Sequence, residues 1–455
     1  MMPRLMRHTI LGLILFSLPA FGAHPLNATA PVGYQAFNLS FDDVAERIPE
    51  LARRGYTDVQ ISPPQKSLDS PYWWARYQPV DFGVIEGLGN EAQFRRMTET
   101  ARQNGVRIIV DTILNHMAND HSFPDLVFPQ FGPSDFHFPA TRPCVENWDD
   151  RYQATQYWLC FGPDGALPDL DTSSTHVRQV HREYLEKLIA LGASGFRIDA
   201  AKHVELPYFE SVLKALPGNP WVYGEVVSGR VSEEMEYSPV MDVTDFTLLG
   251  SLLGAFNDGG GDLRSLGDTE SRGASLPGSS AVVFARNHDT AMSSDFYNFR
   301  DARDVALANA FLFARGQGTP FIYRDDFQDP VVQSGLDFYR RMNSRTAHFA
   351  DAASYCGACN QRDLLLIERG NLGQAEGLAI INKADHWFEQ ADVSAPGMMP
   401  GCYRELSFGF EVEVAAGTDG IKRFSQWGSA AQSGLHLGPK TALFLTWERE
   451  HCDKR

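Results

Sequence analysis

The sequence predicts a (β/α)8 TIM barrel with a small inserted domain after strand 3 and a C-terminal antiparallel β-sandwich domain. Strand-like runs alternate with amphipathic, helix-like stretches from Gly33 to about Phe327, and several of these runs end in a carboxylate. After about Thr346 the helix-like stretches become rare, which predicts the sandwich. Acids do not favour strands, and buried acids are costly unless they are paired or hydrogen-bonded. Acids at the ends of several strands therefore indicate a shared site at the carboxyl face of the barrel, where such folds build their catalytic sites.

The barrel region contains eight short strand-like runs, which is the count that a (β/α)8 barrel requires. Amphipathic stretches over Asp42–Arg54, Glu91–Asn104 and Thr175–Leu191 lie between some of these runs and predict helices. The predicted strands are Gly33–Leu39, Thr57–Ile61, Val106–Asp111, Ser194–Asp199, Trp221–Glu225, Asp242–Phe246, Ala281–Arg286 and Thr319–Tyr323.

Two interruptions of the alternation predict further domains. Between His116 and about Asp171 the chain is rich in Pro, Phe, Asp and Trp and is too long for an ordinary βα loop, which indicates an inserted domain. Beyond Thr346, strand-like runs over 364–368, 378–382 and 442–447 indicate a separate β-sandwich of about 100 residues. We therefore expect a signal segment (1–23), a barrel (24–116 and 172–345), an inserted domain B (117–171) and a C-terminal domain (346–455).

The N-terminal segment is typical of a secretory signal. Arg4 and Arg7 precede an apolar run over 10–18, and small residues allow cleavage after Gly22 or Ala23. A membrane anchor is the alternative, but the apolar run is short for a span of about 20 residues. No later segment of the sequence is long and apolar enough to cross a bilayer, so we expect an exported protein, secreted or periplasmic. We also expect a monomer.

Composition and charge exclude one large class of partner. Hydrophobic residues make up 43% of the chain and charged residues 21%, as in ordinary globular proteins. The formal net charge is −17, and it becomes −19 when Arg4 and Arg7 leave with the signal. No basic stripe remains to hold a phosphate backbone, so we expect no nucleic-acid partner. Phe, Tyr and Trp make up 12% of the chain, and many lie in predicted loops, which favours a ligand with a flat face such as a sugar or a base.

The six cysteines behind an export signal predict disulfide bonds. Six cysteines allow 15 pairings, and only proximity in the chain guides a choice among them. A redox or zinc motif is the alternative for Cys356-Gly-Ala-Cys359, but no second CxxC accompanies it. Proximity pairs Cys144 with Cys160, Cys356 with Cys359 and Cys402 with Cys452.

Three of the strand-end acids, Asp199, Glu225 and Asp289, suit the hydrolysis of a glycosidic bond. That reaction needs one carboxyl group to protonate the leaving oxygen and a second to attack the sugar or to activate water. Arg197 lies two residues before Asp199 and so projects from the same face of the strand. We expect Arg197 to keep the pKa of Asp199 low, and like-charge repulsion among the acids to raise the pKa of the proton donor.

Several segments together resemble the conserved regions of the α-amylase family (glycoside hydrolase family 13), and the resemblance extends over nearly the whole mature chain. Each segment alone would be a weak signal, but the ordered set is specific. The segments are Asp111-Thr-Ile-Leu-Asn115-His116, Leu167-Pro-Asp169-Leu170, Gly195-Phe-Arg197-Ile-Asp199-Ala-Ala-Lys202-His203, Gly224-Glu225-Val226, Phe284-Ala-Arg-Asn287-His288-Asp289 and, after the second strand, Trp73-Trp74-Ala-Arg76-Tyr77-Gln78-Pro79-Val80.

The resemblance implies a retaining endo-acting enzyme that hydrolyses α-1,4-glucosidic bonds in starch, glycogen or maltooligosaccharides. Asp199 would be the nucleophile and Glu225 the general acid and then the base, while Asp289 would bind sugar hydroxyls and stabilise the transition state. In a retaining enzyme the carboxyl groups of Asp199 and Glu225 should lie about 5–5.5 Å apart.

The resemblance also implies residues that bind the substrate around these acids. Arg197 would orient Asp199, His116 and His288 would hydrogen-bond the sugar, and Tyr77 would stack beneath it. Lys202 and His203 resemble residues on the leaving-group side. For Trp73 and Trp74, packing in the barrel wall and stacking on a sugar both remain open.

Members of the family commonly hold a structural calcium ion between the barrel and the inserted domain. Asn115, Asp169 and the backbone carbonyl of His203 match its ligands, and all offer the oxygen atoms that calcium prefers. Some members also bind chloride, and Arg197 and Asn287 match two of its ligands. At the third position stands Phe321, with Arg324 nearby, so we expect no chloride site.

Two other functions fit parts of this pattern. The same scaffold serves enzymes that prefer short maltooligosaccharides, as glucosidases or transglycosylases, and product profiles would separate them from an endo-acting amylase. A catalytically silent α-glucan-binding protein is the alternative of another class. Such a protein would have lost catalytic carboxylates, whereas all three are present in this sequence.

Overall fold

The structure, a computed structural model, describes residues 30–119, 125–161, 165–257, 261–293, 296–357, 359–390, 393–427 and 435–453. The predicted signal over 1–23 lies outside the described residues. No helix in these described ranges combines the length and the apolar character that a membrane span needs.

Eight parallel strands close into a barrel, as the sequence predicts. The order around the barrel is β1-β12-β11-β10-β9-β8-β5-β2, so strands that follow one another in the chain are neighbours in space. The predicted strands are confirmed, with ends that differ by one to three residues. The barrel strands are β1 (Gly33–Ala36), β2 (Asp58–Ile61), β5 (Arg107–Ile113), β8 (Gly195–Asp199), β9 (Trp221–Gly224), β10 (Asp242–Thr244), β11 (Ala281–Val283) and β12 (Thr319–Tyr323), and between them lie the short β3 (Gln65–Ser67), β4 (Pro79–Ile85), β6 (Leu159–Cys160) and β7 (Ala166–Leu167).

The helices pack on the outside of the barrel through apolar faces. In α1 the Ser40 side chain accepts a hydrogen bond from the Asp43 amide and so caps the first turn, while Gly55, at φ 100°, ends the helix in the left-handed conformation. Phe41 and Ile48 of this helix are fully buried against the strands. The helices are α1 (Phe41–Arg54), α2 (Glu91–Gln103), α3 (Arg151–Gln156), α4 (Thr175–Ala190), α5 (Leu206–Leu213), α6 (Val231–Glu234), α7 (Phe246–Phe256), α8 (His288–Met292), α9 (Ala302–Arg315), α10 (Pro330–Arg341) and α11 (Ala352–Tyr355).

The register of the strands brings the carboxylate-bearing ends together. Ile113 of β5 lies opposite Asp199 of β8, and Ile198 of β8 lies opposite Gly224 of β9, directly before Glu225. Because the strands are parallel and adjacent, their carboxyl ends open onto the same face of the barrel. This register is why acids far apart in the sequence become neighbours.

The chain between β5 and α4 forms a small unit above the barrel. It contains α3 and the hairpin of β6 and β7, and the predicted disulfide between Cys144 and Cys160 is formed. Apolar residues of this segment, among them Phe128 and Phe136, join the main core of the barrel. The core of this segment is thus continuous with that of the barrel. We propose 117–171 as the bounds of the inserted domain.

A C-terminal β domain follows the barrel. Its seven-stranded antiparallel sheet has the order β13-β14-β15-β21-β17-β18-β19, and the two-stranded sheet of β16 and β20 packs on the same apolar core. The two remaining disulfides, Cys356–Cys359 and Cys402–Cys452, are also formed as predicted. The strands are β13 (Ala347–Ala350), β14 (Leu364–Asn371), β15 (Gln374–Asn382), β16 (Phe388–Gln390), β17 (Gly401–Glu405), β18 (Glu411–Ala416), β19 (Lys422–Trp427), β20 (Leu435–Leu437) and β21 (Thr441–Arg449).

Buried ionic groups join this domain to the barrel. Lys440 Nζ lies 2.7 Å from Asp304 Oδ1 of α9, and both side chains are 1% exposed. Arg369 of β14 donates to the carbonyl oxygens of Ala314 and Met342, at the C-terminal ends of α9 and α10. A cation at a helix C-terminus satisfies carbonyl groups that have no partner within the helix.

Candidate active site

A cavity of about 870 Å³ opens at the carboxyl end of the barrel. Asp199, Glu225 and Asp289 all line it, so the structure brings together the three acids that the sequence singled out. The same cavity is lined by six residues that, by the resemblance, would bind the substrate: Tyr77, His116, Lys202, His203, Trp73 and Trp74.

Arg197 lies at the centre of the acids. One of its terminal nitrogens, Nη1, donates to Asp199 Oδ1 at 2.8 Å and to Asp111 Oδ1 at 2.8 Å, while Nη2 lies 2.5 Å from Glu225 Oε1. Two nitrogens of a single planar guanidinium thus hold the carboxylates of Asp199 and Glu225 side by side. The predicted contact between Arg197 and Asp199 is present, and the contact with Glu225 adds to it.

Burial raises the pKa of all three acids that line the cavity. The pKa of Asp199 is raised because burial outweighs the Arg197 charge, so the expectation of a low pKa at this residue was wrong. Burial, followed by the charge of Asp199, raises the pKa of Glu225, which agrees with the expectation for a proton donor. Burial and the charge of Glu225 hold the pKa of Asp289 well above its usual value. Each of the Glu225 and Asp289 side chains affects the pKa of the other, so the two carboxyl groups lie close together.

His288 is held by stacking and by hydrogen bonds. Its ring lies between the rings of Phe37 and Tyr77, with centroid distances of 4.7 and 4.8 Å. Gln35 Nε2 donates to His288 Nδ1 at 3.0 Å, so the ring carries its proton on Nε2, which faces Asp289 Oδ1 at 3.3 Å. Burial, helped by the charge of Arg197, keeps the pKa of His288 well below its usual value, and the ring is therefore neutral.

His116 and Tyr77 form the wall next to the acids. His116 Nε2 lies 3.0 Å from the backbone carbonyl of Tyr77, and the buried Nδ1 has no partner among the described residues. Burial lowers the pKa of His116 to about 4. Tyr77 donates its hydroxyl proton to Asp111 Oδ2 at 2.8 Å, which fixes the ring in its stack with His288.

Lys202 and His203, which follow β8 in the chain, lie on another side of the cavity. Lys202 Nζ is 3.0 Å from Glu233 Oε1 and donates to the carbonyl of Val227 at 3.1 Å. His203 Nδ1 lies 2.7 Å from the carbonyl of Ala154, a residue of α3. The ring of Trp148 meets that of His203 edge to face at 5.6 Å, so the inserted segment contributes an aromatic side chain to this end of the cavity.

Trp73 and Trp74 differ in their surroundings. Trp73 packs edge to face on Phe37 and His288, and its carbonyl accepts a hydrogen bond from Asn38, so it belongs to the wall of the site. Trp74 stacks in parallel on Tyr72 and shares no ring contact with that wall. Both tryptophans line the cavity, and stacking of either ring on a sugar stays a prediction.

Known proteins resemble this chain in sequence and in fold. An α-amylase of Aeromonas hydrophila is 31% identical over 416 residues, which cover 80% of this chain and 87% of the relative. This chain belongs to the α-amylase family. The model of the α-amylase catalytic domain matches residues 40–242, and an α-amylase of Tenebrio molitor is 33% identical over 323 residues, which cover 64% of this chain and 67% of the relative. The protein is accordingly a glycoside hydrolase of the amylase type.

Solved structures of α-amylases share the whole architecture. The wild-type α-amylase I of Eisenia fetida superposes with a TM-score of 0.74 over 90% of this chain and 98% of that chain. The α-amylase of Malbranchea cinnamomea superposes with a TM-score of 0.68 over 92% of this chain and 96% of that chain. The sequence identities are 23% and 18%, so these structures show a common fold.

The residues that match calcium ligands in amylases lie together between the barrel and the inserted segment. Asn115 and Asp169 are buried, and the amide of Leu170 donates to the carbonyl of Asn115. The Asn115 side chain affects the pKa of Asp169 and so lies beside it, yet its amide nitrogen and Asp169 Oδ1 have no well-formed hydrogen bond among the described residues. The unpaired buried carboxylate oxygen of Asp169 fits a site for a bound cation. The other carboxylate oxygen of Asp169 is taken by His137 Nδ1, at 2.7 Å.

Within the described ranges, one group of three His, Cys, Asp or Glu side chains lies close enough together to hold a metal ion, and it consists of Cys402, Glu411 and Cys452. The two cysteines of this group are joined in a disulfide bond, so they offer no thiolate. A calcium site built from one carboxylate, one amide and one backbone carbonyl needs no such group of three side chains.

The expectation of no chloride site stays a prediction, and the surroundings of Phe321, Asn287 and Arg324 bear on it. Its ring fills the inside of the barrel, where it packs on Trp221 and Tyr223 with centroid distances of 6.2 and 5.4 Å. Asn287 uses its side chain to cap α8 by accepting from the Thr290 amide. Arg324 points to the carbonyl of Phe37.

The sequence did not indicate which groups Arg286 contacts. Its side chain is directed away from the three acids of the cavity. It forms an ion pair with Asp326 and lies over the ring of Tyr323 at 5.3 Å. Tyr323 is the last residue of β12, and Asp326 follows this strand. The ion pair therefore connects the segment that carries Asp289 to the end of β12. Arg286 therefore supports the site without lining the cavity.

Sequence reasoning missed several residues that support the site. Asp111 was counted among the strand-end acids, but its role as the acceptor for Arg197 and Tyr77 required the structure. Gln35 and Glu233 gave a weaker signal: Gln35 is a polar residue in an otherwise apolar strand, and Glu233 is one of two adjacent acids in the short helix α6. His137 carried no signal, because the segment around it aligns poorly with known motifs.

Proposed function

We propose that the protein is an exported, calcium-binding endo-α-amylase that hydrolyses α-1,4-glucosidic bonds in starch, glycogen and maltooligosaccharides with retention of configuration. The observation that supports this most strongly is the guanidinium of Arg197, which contacts Asp199 and Glu225 together at the floor of an open cavity. Because both carboxyl groups contact one guanidinium, we expect between them the separation of about 5–5.5 Å that double displacement needs.

In the first step, a carboxylate oxygen of Asp199 attacks the anomeric carbon of the bound glucose unit, and the bond to the leaving oxygen breaks. Glu225 gives its proton to that oxygen, so the leaving chain departs as an alcohol. In the second step, the Glu225 carboxylate takes a proton from water, the water oxygen bonds to the anomeric carbon, and Asp199 leaves as a carboxylate. Retention follows because each step inverts this carbon once.

The remaining groups stabilise the charge that develops on the sugar ring. Asp289, whose pKa is raised by burial and by the charge of Glu225, lies beside that residue in the cavity and would bind the sugar hydroxyls. His288 is neutral and directs Nε2–H toward Asp289, so it offers a fixed donor at the same place. Arg197 remains charged and compensates the Asp199 carboxylate during both steps.

The decisive experiment is the product analysis of the wild type and of three variants on amylose. NMR should show products released in the α-anomeric form, and the chain-length distribution should show internal cleavage. Asp199→Asn and Glu225→Gln should each lose activity by about 10²–10⁴-fold or more, with unchanged circular dichroism. Asp245→Asn is the matched control, because this buried strand-end acid accepts from the amides of Leu248 and Leu276 instead of facing the cavity.

Three results would contradict the proposal. β-Anomeric products would exclude the retaining mechanism, and full activity of Asp199→Asn would exclude the assigned nucleophile. Products built only from single terminal glucose units, or chains longer than the substrate, would favour the glucosidase or transglycosylase alternative. Binding of starch without any increase in reducing ends would favour the catalytically silent alternative.

We further propose that calcium binds through Asn115, Asp169 and the backbone carbonyl of His203. When bound, the ion would hold the inserted segment against the barrel. At a concentration one hundredfold above its Kd, it would stabilise the fold by about 2.7 kcal/mol. EDTA should therefore lower the Tm of the wild type and of Asp150→Asn, a half-buried helix-capping control in the same segment. A Tm of Asp169→Asn that still falls with EDTA would contradict this ligand set.

Export is the last part of the proposal, and the three disulfides support it because such bonds persist in oxidising compartments. Expression with an intact export pathway should yield a mature chain that begins at Ala23 or His24. N-terminal sequencing that finds Met1 on the folded, oxidised protein would contradict the assigned signal.

A further inference from the structure

We propose that Gln60 and Tyr223 are positioning residues for the reaction, because they form two successive hydrogen bonds that hold the Asp111 carboxylate against Arg197. This inference rests on the proposed function and extends it: it assigns a task to polar groups that are buried inside the barrel. We call the two bonds the Tyr223–Gln60–Asp111 chain.

Four consecutive barrel strands supply the side chains that meet here. Asp111 of β5 lies opposite Arg197 of β8 in the strand register, and Arg197 lies opposite Tyr223 of β9. Gln60 belongs to β2, which pairs with β5 on its other side. The interior of such barrels is usually filled by branched apolar residues, so a polar side chain from each of four adjacent strands is a departure from the common pattern.

Hydrogen bonds satisfy these buried polar groups, which would otherwise be costly in free energy. The Tyr223 hydroxyl donates to Gln60 Oε1 at 2.7 Å, and Gln60 Nε2 donates to Asp111 Oδ2 at 3.2 Å. An ionised carboxylate only accepts hydrogen bonds, so the Gln60 amide presents its nitrogen to Asp111 and its oxygen to Tyr223. The direction of the chain is therefore fixed, and both of its bonds donate toward Asp111.

Packing fixes the end of the chain that is remote from Asp111. The ring of Tyr223 contacts the rings of Trp221 and Phe321, with centroid distances of 5.0 and 5.4 Å. All three rings are buried in one apolar cluster. The Tyr223 hydroxyl therefore has a set position before substrate binds, and so has the Gln60 amide that accepts from it.

At the other end of the chain, Asp111 accepts from several donors at once. Arg197 Nη1 donates to Oδ1 at 2.8 Å and to Oδ2 at 3.0 Å, and the Tyr77 hydroxyl donates to Oδ2 at 2.8 Å. Burial raises the pKa of Asp111, and the Arg197 charge opposes this effect. Because hydrogen bonds to a carboxylate favour its charged form, the donor from Gln60 helps to keep Asp111 ionised.

The charge of Asp111 limits what Arg197 offers to the nucleophile. The same nitrogen of Arg197 contacts Asp111 and Asp199, each at 2.8 Å, so the two carboxylates share one cation and repel each other. A neutral Asp111 would remove this repulsion and leave Asp199 as the stronger partner of Arg197. The pKa of Asp199 would then fall. The chain thus acts on the nucleophile through Asp111 and Arg197.

The other groups around Asp111 define the electrostatic background of a test. Burial raises the pKa of the tyrosines among them, so these side chains stay neutral at the acidic pH values that matter here. The charged and titratable groups that interact electrostatically with Asp111 are Arg197 and Asp199 of β8, Tyr77 of the 3₁₀ helix Trp73–Tyr77, Tyr184 of α4, Tyr223 of β9 and Asp289 of α8.

The pH dependence of kcat/KM for a maltooligosaccharide tests the inference. Gln60→Leu removes the donor to Asp111, and its acidic limb should lie about 0.5–1 pH unit below that of the wild type. Tyr223→Phe removes only the hydroxyl and should shift the limb in the same direction by a smaller amount. The control is Tyr184→Phe, which also breaks a bond from a tyrosine hydroxyl to a glutamine, Gln65, at 3.0 Å. Its acidic limb should coincide with that of the wild type.

An acidic limb of Gln60→Leu that coincides with that of the wild type, or lies above it, would overturn the inference. A purely structural role would produce this result, because it would change stability or kcat without moving the limb. If Gln60→Leu does not fold, as judged by circular dichroism, Tyr223→Phe decides. An unchanged limb in that variant would then overturn the inference.

Failure of the proposed function is distinguishable from failure of this inference. A wild type that hydrolyses no maltooligosaccharide would refute the amylase assignment, whereas the ionisation of Asp111 can be measured without substrate. Its carboxyl carbon can be followed by NMR in protein that contains isotope-labelled aspartate, with the signal assigned through Asp111→Asn. The pKa of Asp111 should be about one unit higher in Gln60→Leu than in the wild type, and equal values would overturn the inference.

Discussion

Replacement of Arg197 by methionine should shift the pH dependence of the enzyme to higher pH. Arg197 donates to Asp199 at 2.8 Å and contacts Glu225 at 2.5 Å, and it is the cation that lowers the pKa of Asp199 against the effect of burial. An opposite charge at this distance typically lowers a carboxyl pKa by about 1–3 units. Without it, Asp199 would hold its proton to a pH about 1–3 units higher, and a protonated carboxyl group cannot attack the sugar.

The assay is kcat/KM for a maltooligosaccharide as a function of pH, whose acidic limb reports the ionisation of the essential carboxylate in the free enzyme. We expect the acidic limb of Arg197→Met about 1–3 pH units above that of the wild type. Arg197→Lys keeps the charge but cannot contact Asp199 and Glu225 at once, because an ammonium group lacks the planar fork. Its acidic limb should stay close to that of the wild type while kcat falls.

One result would refute this reasoning. If Arg197→Met folds, as judged by circular dichroism, and its acidic limb coincides with that of the wild type, Arg197 does not control the ionisation of the nucleophile. Its role would then be limited to orientation of the carboxylates.

Three further predictions concern stability and are measured by urea unfolding. Gln35→Met should lower the free energy of unfolding by about 1–3 kcal/mol, because the buried His288 Nδ1 loses its donor, and an unchanged value would contradict the assigned hydrogen bond. Burial lowers the pKa of His181 to about 3, so below about pH 6.5 this residue is protonated in the unfolded chain but not in the folded chain. As the pH is lowered below that value, the free energy of unfolding should therefore fall by up to about 1.4 kcal/mol per pH unit. His181→Gln should show a shallower fall. Lys440→Met should lower the free energy of unfolding by about 3–5 kcal/mol, because it removes the ammonium group beside the buried Asp304 carboxylate. The double variant with Asp304→Asn should recover most of that loss. A double variant that recovers none of it would mean that the ion pair does not determine stability here.

Local patterns were sufficient for the barrel and its acids. Each strand is a short apolar run whose end is marked by a polar residue, and parallel strands must present these ends on one face. Spacing alone placed Arg197 beside Asp199, since residues two apart share a face of a strand. Proximity in the chain was also sufficient for the disulfides, because two of the three close loops of only 3 and 16 residues.

Other features depend on contacts between distant parts of the chain. Gln35 and His288 are separated by 253 positions, and Lys440 and Asp304 by 136, so no local pattern connects them. The pKa of Asp199 was predicted wrongly for the same reason. Its nearest charge, Arg197, could be read from the sequence, but the larger effect of burial arises only when the barrel, the inserted segment and the neighbouring acids are assembled.

The sequence by itself determined which side chains can perform the chemistry and at which end of the barrel they emerge, because strand periodicity and chain direction are local properties. Only the tertiary structure decided how these side chains share protons and partners. That outcome depends on distances between segments and on the exclusion of water, to which every packed element contributes.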